Sequence, residues 1–270
     1  MSHFIVFHRM QVRGANFQPA GWLVAPPGPY VAMSFAHKLG LDLGGTALSV
    51  AIIHHSAELL AEDLPGAYGV LIPHGRRGAV LSLDGNKGSD YGGSSKSLAY
   101  LPEPRGNLTI SLVVELDIES FDEQDLERFK STARFAGGEI TYSARLPKIV
   151  DSREEAQKLV RSGFVVTDES PLVSKTMAEK GINALEALQI LTRSDNRAEH
   201  PWLIPACIGY ASISPFVSRP NARGDYQHAY VESLIGLTQL RPAREGLVFW
   251  TFSMVEKAQD TFHFLTIAKD

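Results

Sequence analysis

Apolar residues alternate along His3–Val12, with Phe4, Val6, His8, Met10 and Val12 on one side and Ile5, Phe7, Arg9 and Gln11 on the other. That period predicts a β-strand and points Arg9 away from Met10, toward the open face of a sheet. A loop rich in Gly, Pro and Trp then leads to Pro29, a good first helical residue. Val31, Phe35 and Leu39 form one helical face, and Gly40 predicts the stop. Thr46–His55 alternates again and predicts a second strand.

The same succession returns further on. Arg77–Leu83 predicts a third strand, leading into the Gly/Ser-rich stretch LDGNKGSDYGGSSKS with Lys87, Tyr91 and Lys96. A long structureless loop inside a compact domain is usually functional or disordered. Asn107–Ile118 alternates over its whole length. Ser120 and Glu123 have the spacing of a capping box for a helix over Asp122–Arg134, whose apolar face holds Leu126, Phe129 and Ala133. Gly137-Gly138 predicts its end and Glu139–Arg145 the next strand. Strand, helix, strand, twice over, predicts an α+β fold with a ferredoxin-like, RRM-like core.

Residues 151–196 read as helical, with Ser152 and Glu155 as a capping box, Gly163 as a stop, and a second stripe of Ile182, Leu185, Leu188 and Leu191 facing the core. Strands return at Leu203–Ser212, Gly246–Glu256 and Asp260–Ala268, the last two as a hairpin. The polar, aromatic segment 218–233 lies between them. The pattern predicts one domain over 1–270: a core of about 1–150 and 200–270, a helical insertion of about 151–200 and an inserted basic, thumb-like loop of about 84–106.

Composition narrows the class. No apolar run approaches the roughly 20 residues that span a bilayer, and the opening MSHFIVFHRM lacks the pattern of a secretory signal. The one cysteine, Cys207, rules out an internal disulfide and a cysteine-based zinc site, and its setting in LIPACIGY reads as a core thiol. These features predict a cytoplasmic protein without a membrane association.

Charge is more informative by position than by sum. A net charge of −4 argues against a protein that coats nucleic acid on all sides. Between Arg128 and Arg161, however, eight Lys/Arg stand against four acids, and Met1–Ala57 holds Arg9, Arg13 and Lys38 against Asp42 alone. That distribution predicts one binding face on an acidic body. The nine histidines offer no His-x-x-x-His, and His54 and His55 are neighbours on a strand, so no metal site is expected. His8, His37 or His228 has the chemistry of a general base in RNA cleavage, or equally of a side chain that packs or binds phosphate. Asp42-Leu43-Gly44-Gly45-Thr46 resembles the first phosphate loop of sugar kinases and actin-like ATPases, but no strand precedes it and no second such loop follows, so a helix-to-strand turn is the better reading.

The ordered motifs resemble a known family. His8-Arg9-Met10-Gln11-Val12 with Ala15-Asn16, Phe35-Ala36-His37-Lys38-Leu39, Pro104–Leu112, Arg134–Ile140, Ile208-Gly209-Tyr210, and Ala222-Arg223 through Glu232 are similar to successive segments of the Csy2 family. That family is the Cas5-type RAMP subunit of the subtype I-F (Csy) CRISPR surveillance complex. The resemblance implies a subunit that is not an enzyme, needs no cofactor or metal, holds the 5′ handle of the CRISPR RNA and contacts the backbone and large Cas subunits near target DNA. Together with the basic face it nominates Arg9, Arg13, Asn16, His37, Lys87, Lys96, Arg105, Arg134, Lys148, Arg219, Arg223 and His228 as RNA-binding residues. Two alternatives stay open: a repeated backbone subunit of a minimal system, and a RAMP endoribonuclease using His37 or His228.

Overall fold

The computed structural model describes residues 2–63, 71–77, 100–141, 147–222, 224, 226–256 and 262–269. The chain opens with β1 (Ser2–Asn16), α1 (Pro29–Leu43) and β2 (Thr46–Leu59). Two short hairpins follow, β3 (Ala61–Asp63) with β4 (Leu71–Pro73) and β5 (Gly75–Arg77) with β6 (Tyr100–Pro102). Next come β7 (Arg105–Asp117), α2 (Glu123–Thr132), β8 (Arg134–Phe135), β9 (Gly138–Thr141) and β10 (Lys148–Val150). Then follow α3 (Arg153–Leu159), β11 (Phe164–Asp168), α4 (Ser170–Lys180) and α5 (Ala184–Leu191). The last strands are β12 (Leu203–Ser212), β13 (Val231–Pro242), β14 (Phe249–Glu256) and β15 (Phe262–Lys269). Among the described residues, five α-helices accompany an antiparallel sheet of 11 strands, so the chain is α+β.

Four strands lie side by side in the order β2-β7-β1-β9, each pairing antiparallel. α1 joins β1 to β2 and α2 leads from β7 to the β8–β9 hairpin. Both helices cover one face, where Phe7, Phe35, Phe129 and Phe135 meet with Phe35–Phe129 centroids 5.0 Å apart and Phe7–Phe35 5.6 Å apart. Truncating any of these buried rings to alanine costs about 3–5 kcal/mol. On the opposite face Phe4, Val6, Ile53 and Val113 pack against Ala156 and Val160, in and just past α3, and against Phe249.

The other edge of β2 is also occupied. It pairs with β14 at Val50 and with β11 at Ile53 and His54. Because β14, β15, β12, β13 and β11 are paired in that sequence, β2-β14-β15-β12-β13-β11 closes into a ring. Trp250 Nε1 donates to the carbonyl oxygen of Val166 at 3.0 Å, tying β14 to β11 and satisfying the indole of a buried tryptophan.

The structure corrects several expectations. α1 does not stop at Gly40; that glycine is buried, and a Cβ on it would lie 2.8 Å from the amide nitrogen of Ala47, so its small size serves close packing. The helix ends at Gly44, whose φ of 75° supplies the left-handed cap. Asp42 therefore sits inside the helix, bonded to Lys38 at 2.6 Å, and LDLGGT is a helix terminus. The N-cap of α2 is Asp122, which accepts from the amide of Gln124, in place of Ser120. Ala136 and Gly137, both with positive φ, turn the β8–β9 hairpin after α2 has already ended.

Residues 151–200 supply a strand of the main sheet, β11, as well as helices, and β13 is a full strand that the polar segment before it concealed. In α5, Leu188 and Leu191 are buried as expected while Leu185 is exposed. Of the expected strand over Arg77–Leu83 only Arg77 is described, at the end of β5; its remaining residues 78–83 and most of the thumb-like loop, residues 84–99, lie outside the described residues.

Candidate nucleic-acid interface

Ser111 stands at the centre of the site because β1 is irregular at its level and β2 is irregular just beyond it, past Ile110. On β1, Phe7 faces Leu112 and Met10 faces Ile110, so His8 and Arg9 together oppose Ser111. On β2, His54 faces Ile110 and Ser56 faces Thr109, leaving His55 as an extra residue. A β-bulge re-aims side chains out of the regular pleat. Two neighbouring bulges bring His8, Arg9 and His55 around a single serine.

The contacts follow from that placement. The backbone amide of Arg9 donates to Ser111 Oγ at 2.9 Å, and His55 Nε2 lies 2.8 Å from the same oxygen. The rings of His8 and His55 are 6.3 Å apart. The Arg9 guanidinium is exposed and reaches Ser162 Oγ at 3.4 Å. Arg9 has φ of 50°, a region that non-glycine residues rarely occupy and that costs of order 1–3 kcal/mol. Burial, then Arg9, His8 and His54, push the His55 pKa down to about 4, so the imidazole is neutral. The arrangement offers the exposed Arg9 guanidinium and Ser162 hydroxyl beside a neutral imidazole, a donor set suited to phosphate oxygens.

The bulge also reverses the expected alternation of β1. Met10 and Val12 join Ile5 and Phe7 beneath the helices, whereas Phe4 and Val6 face the other way. Arg9 and Met10 do differ as expected, Arg9 exposed and Met10 buried beneath the helices.

An apolar cavity of about 240 Å³ opens beside this site, inside the ring of strands. Its walls include His54, Phe164, Val166, Trp202, Ile204 and Thr238, with His55 at its edge. Gly163 lets the chain before β11 press on β2: its φ is 141°, and a Cβ there would lie 2.6 Å from Ile53 Cγ2 and 2.8 Å from the His55 ring.

The model of the CRISPR-associated protein family Cas_Csy2 matches residues 90–245, more than half of the chain. The chain belongs to the Csy2 family. No curated protein matches it. Among the described residues, no helix is long and apolar enough to cross a membrane, and no three His, Cys, Asp or Glu converge as metal ligands.

The other nominated residues of this Csy2-family chain fall in different places. His37 is on α1, 6.3 Å from the Phe252 ring, and so lies on the helix-covered side of the sheet from Arg9. Asn16 and Arg105 line a second cleft, of about 560 Å³, together with Tyr30, Gly137 and Tyr210. Arg105 spends its donors internally, on the Gly14 carbonyl oxygen at 2.8 Å and on Glu103. The Tyr30 pKa is pushed up to about 12 by burial, then by Tyr210 and Cys207, so its phenol keeps its proton. Arg13 faces Glu139 across β1 and β9, Arg134 opposes the same Glu139 in the hairpin, and Lys148 is exposed on the short β10. Arg219 stacks over Tyr230 at 4.4 Å, and His228 pairs with Val217, on the arm between β12 and β13. Lys87, Lys96 and Arg223 lie outside the described residues.

Among the described residues, the basic run from Arg128 to Arg161 is divided between layers. Arg128 pairs with Asp125, Lys130 with Glu127, and Arg153 with Glu115 on a different layer. His8, His55, Ser111 and Ser162 are the members of the site that pattern reading passes over as a group, since only the paired bulges bring them together.

Proposed function

We propose that this chain is a non-catalytic, RNA-binding subunit of a Csy-type CRISPR complex, and that the face carrying Arg9 lies along the CRISPR RNA. The order β2-β7-β1-β9 with two helices on one face supports reading the core as ferredoxin-like and RAMP-type, related to RRM modules that bind single-stranded RNA on a sheet face; here that second face is partly packed by α3 and Phe249. The observation that carries the reading is the double bulge. It holds an exposed Arg9 in a strained conformation, with Ser111, Ser162, His8 and His55 around it.

The chemistry favours holding over cutting. Ser111 is fully buried, so it is closed to an incoming phosphodiester. His55 is neutral and does not supply the protonated acid that cleavage needs at neutral pH. Neighbouring Cas subunits complete the RNA path, and the arm bearing Arg219 and Tyr230 is a second contact for RNA or for a subunit.

Fluorescence anisotropy with labelled CRISPR repeat RNA tests this over a salt series. Binding whose logarithm falls linearly with log salt is expected, and Arg9→Ala should lower that slope by about 1. Binding indifferent to salt sinks the proposal. So does repeat cleavage that disappears in His8→Ala or His55→Ala.

A further inference from the structure

Trp202 is a large aromatic residue in an unfavourable place. It is 65% exposed, precedes β12, and has φ of 61°, which bulky side chains rarely adopt. Nothing in the hydrophobic core needs it there, yet its backbone is fixed on both sides. Its carbonyl oxygen accepts from the Leu240 amide at 3.1 Å, and the Pro201 carbonyl oxygen accepts from Gln239 Nε2 at 2.8 Å. Strain held in place by surrounding bonds at an exposed aromatic residue is a sign of function.

Across from it stands Phe164, also exposed, with ring centroids 6.4 Å apart and an interplanar angle of 34°. Two stacking layers of about 3.5 Å, the optimal separation of non-bonded carbons, would need about 7 Å. The centroid spacing of 6.4 Å is near that value, and the 34° tilt must open for a planar group to enter between the rings. Both line the 240 Å³ cavity, which is smaller than the roughly 300–1,000 Å³ of pockets for drug-sized ligands. Its further walls offer apolar surface from Ile204 and Val166, with His54 as a polar group; the Thr238 hydroxyl there already donates to the Ile204 carbonyl oxygen.

The cavity adjoins the phosphate-suited cluster by two links. His55 lines it and also holds Ser111, and Ser162, the partner of Arg9, is two residues before Phe164. We infer that Trp202 and Phe164 form a slot for one unstacked nucleobase of a single-stranded RNA whose backbone phosphate is held at Arg9. The inference rests on the RNA-binding reading above and adds to it the position at which a base leaves the strand. Stacking on aromatic faces tolerates every base, so the slot contributes affinity without requiring a particular sequence.

The test compares a 12-nucleotide oligoadenylate with a fully abasic ribose-phosphate strand of the same length, on the intact protein. The wild type should bind the oligoadenylate about 10-fold more tightly. Trp202→Asn, which accepts the positive φ, should lose most of that preference while keeping its affinity for the abasic strand. Trp202→Phe should retain the preference, and Phe164→Leu should reduce it from the other wall. Arg9→Ala should weaken both strands by the same factor. An undiminished preference in Trp202→Asn overturns the slot and leaves the RNA reading standing. If Trp202→Asn instead loses a co-expressed Csy-complex subunit with its preference intact, the slot holds a protein side chain and the inference is also overturned. If neither strand binds with salt dependence, the RNA reading fails and the slot with it.

Discussion

Ser111 Oγ accepts the backbone amide of Arg9 at 2.9 Å, and so a serine on β7 holds an arginine on β1 in a conformation arginine does not favour. Function and stability should therefore oppose one another at residue 9. Arg9→Gly should raise unfolding stability by about 1 kcal/mol through relief of the positive φ, while weakening RNA binding and flattening its salt dependence. A urea titration beside the anisotropy series reads both. A variant that loses stability would show that φ at Arg9 is not strained.

Gly163 should tolerate no side chain. Gly163→Ala places a methyl group 2.6 Å from Ile53 Cγ2 at a φ of 141°, and a loss of about 2 kcal/mol is expected in the urea midpoint. Because the same methyl group would meet the His55 ring at 2.8 Å, RNA affinity should fall too, measured at a temperature where the variant is still folded.

Mild acid should destabilise the fold. The pKa values of His54 and His55 are pushed down to about 4 from 6.5, by burial in the first place. The unfolded chain takes up these protons from about pH 6.5, the folded chain only near pH 4. The stability they contribute is therefore complete above pH 6.5 and is lost as pH falls through 6.5 toward 4. For buried His54 this amounts to about 2 kcal/mol at pH 5, and less for His55, which is partly open to solvent. Urea midpoints at pH 7.5 and pH 5 check the sign. A pH dependence that is unchanged in His54→Gln would assign it to other groups.

Asp42 should matter little. Its bond to Lys38 is a surface i,i+4 pair worth about 0.3–0.5 kcal/mol, so Asp42→Asn should leave RNA binding intact. ATP with magnesium should leave the melting temperature of the wild type unchanged. A rise of several degrees would restore the phosphate-loop reading of LDLGGT.

The paired strand-helix-strand units were legible because each has one face on the helices, and alternation or a 3.6 period reports a single buried face. β2 and β7 read well for a second reason, their β-branched and apolar content. The register of β1 was not legible: a bulge depends on what the neighbouring strand does, and nothing in HRM announces that His8 and Arg9 share one place opposite Ser111. Gly40 misled because a glycine that ends a helix and one that lets a strand approach look alike in sequence. β11 has only five residues, and β13 begins within a polar segment, so both needed their partners to be seen. Trp202 escaped notice because its importance lies in its backbone angle and in a ring contributed by Phe164, 38 positions earlier.

The closed ring also sets an order of assembly. Val50 on β2 pairs with Trp250 on β14, 200 positions later, whereas β1, β2 and β7 find one another within the first 117 residues. During synthesis the early strands can pair, and β11 can reach Ile53 and His54, while the Val50 stretch of the outer edge of β2 waits for β14 until synthesis is nearly complete. Distant pairings of this kind form slowly, so the exposed edge of β2 is where a nascent chain is open to wrong partners. A chain broken off before residue 249 still has β11 to cover Ile53 and His54 but leaves Val50 without β14, and such fragments should aggregate rather than persist as a smaller folded core.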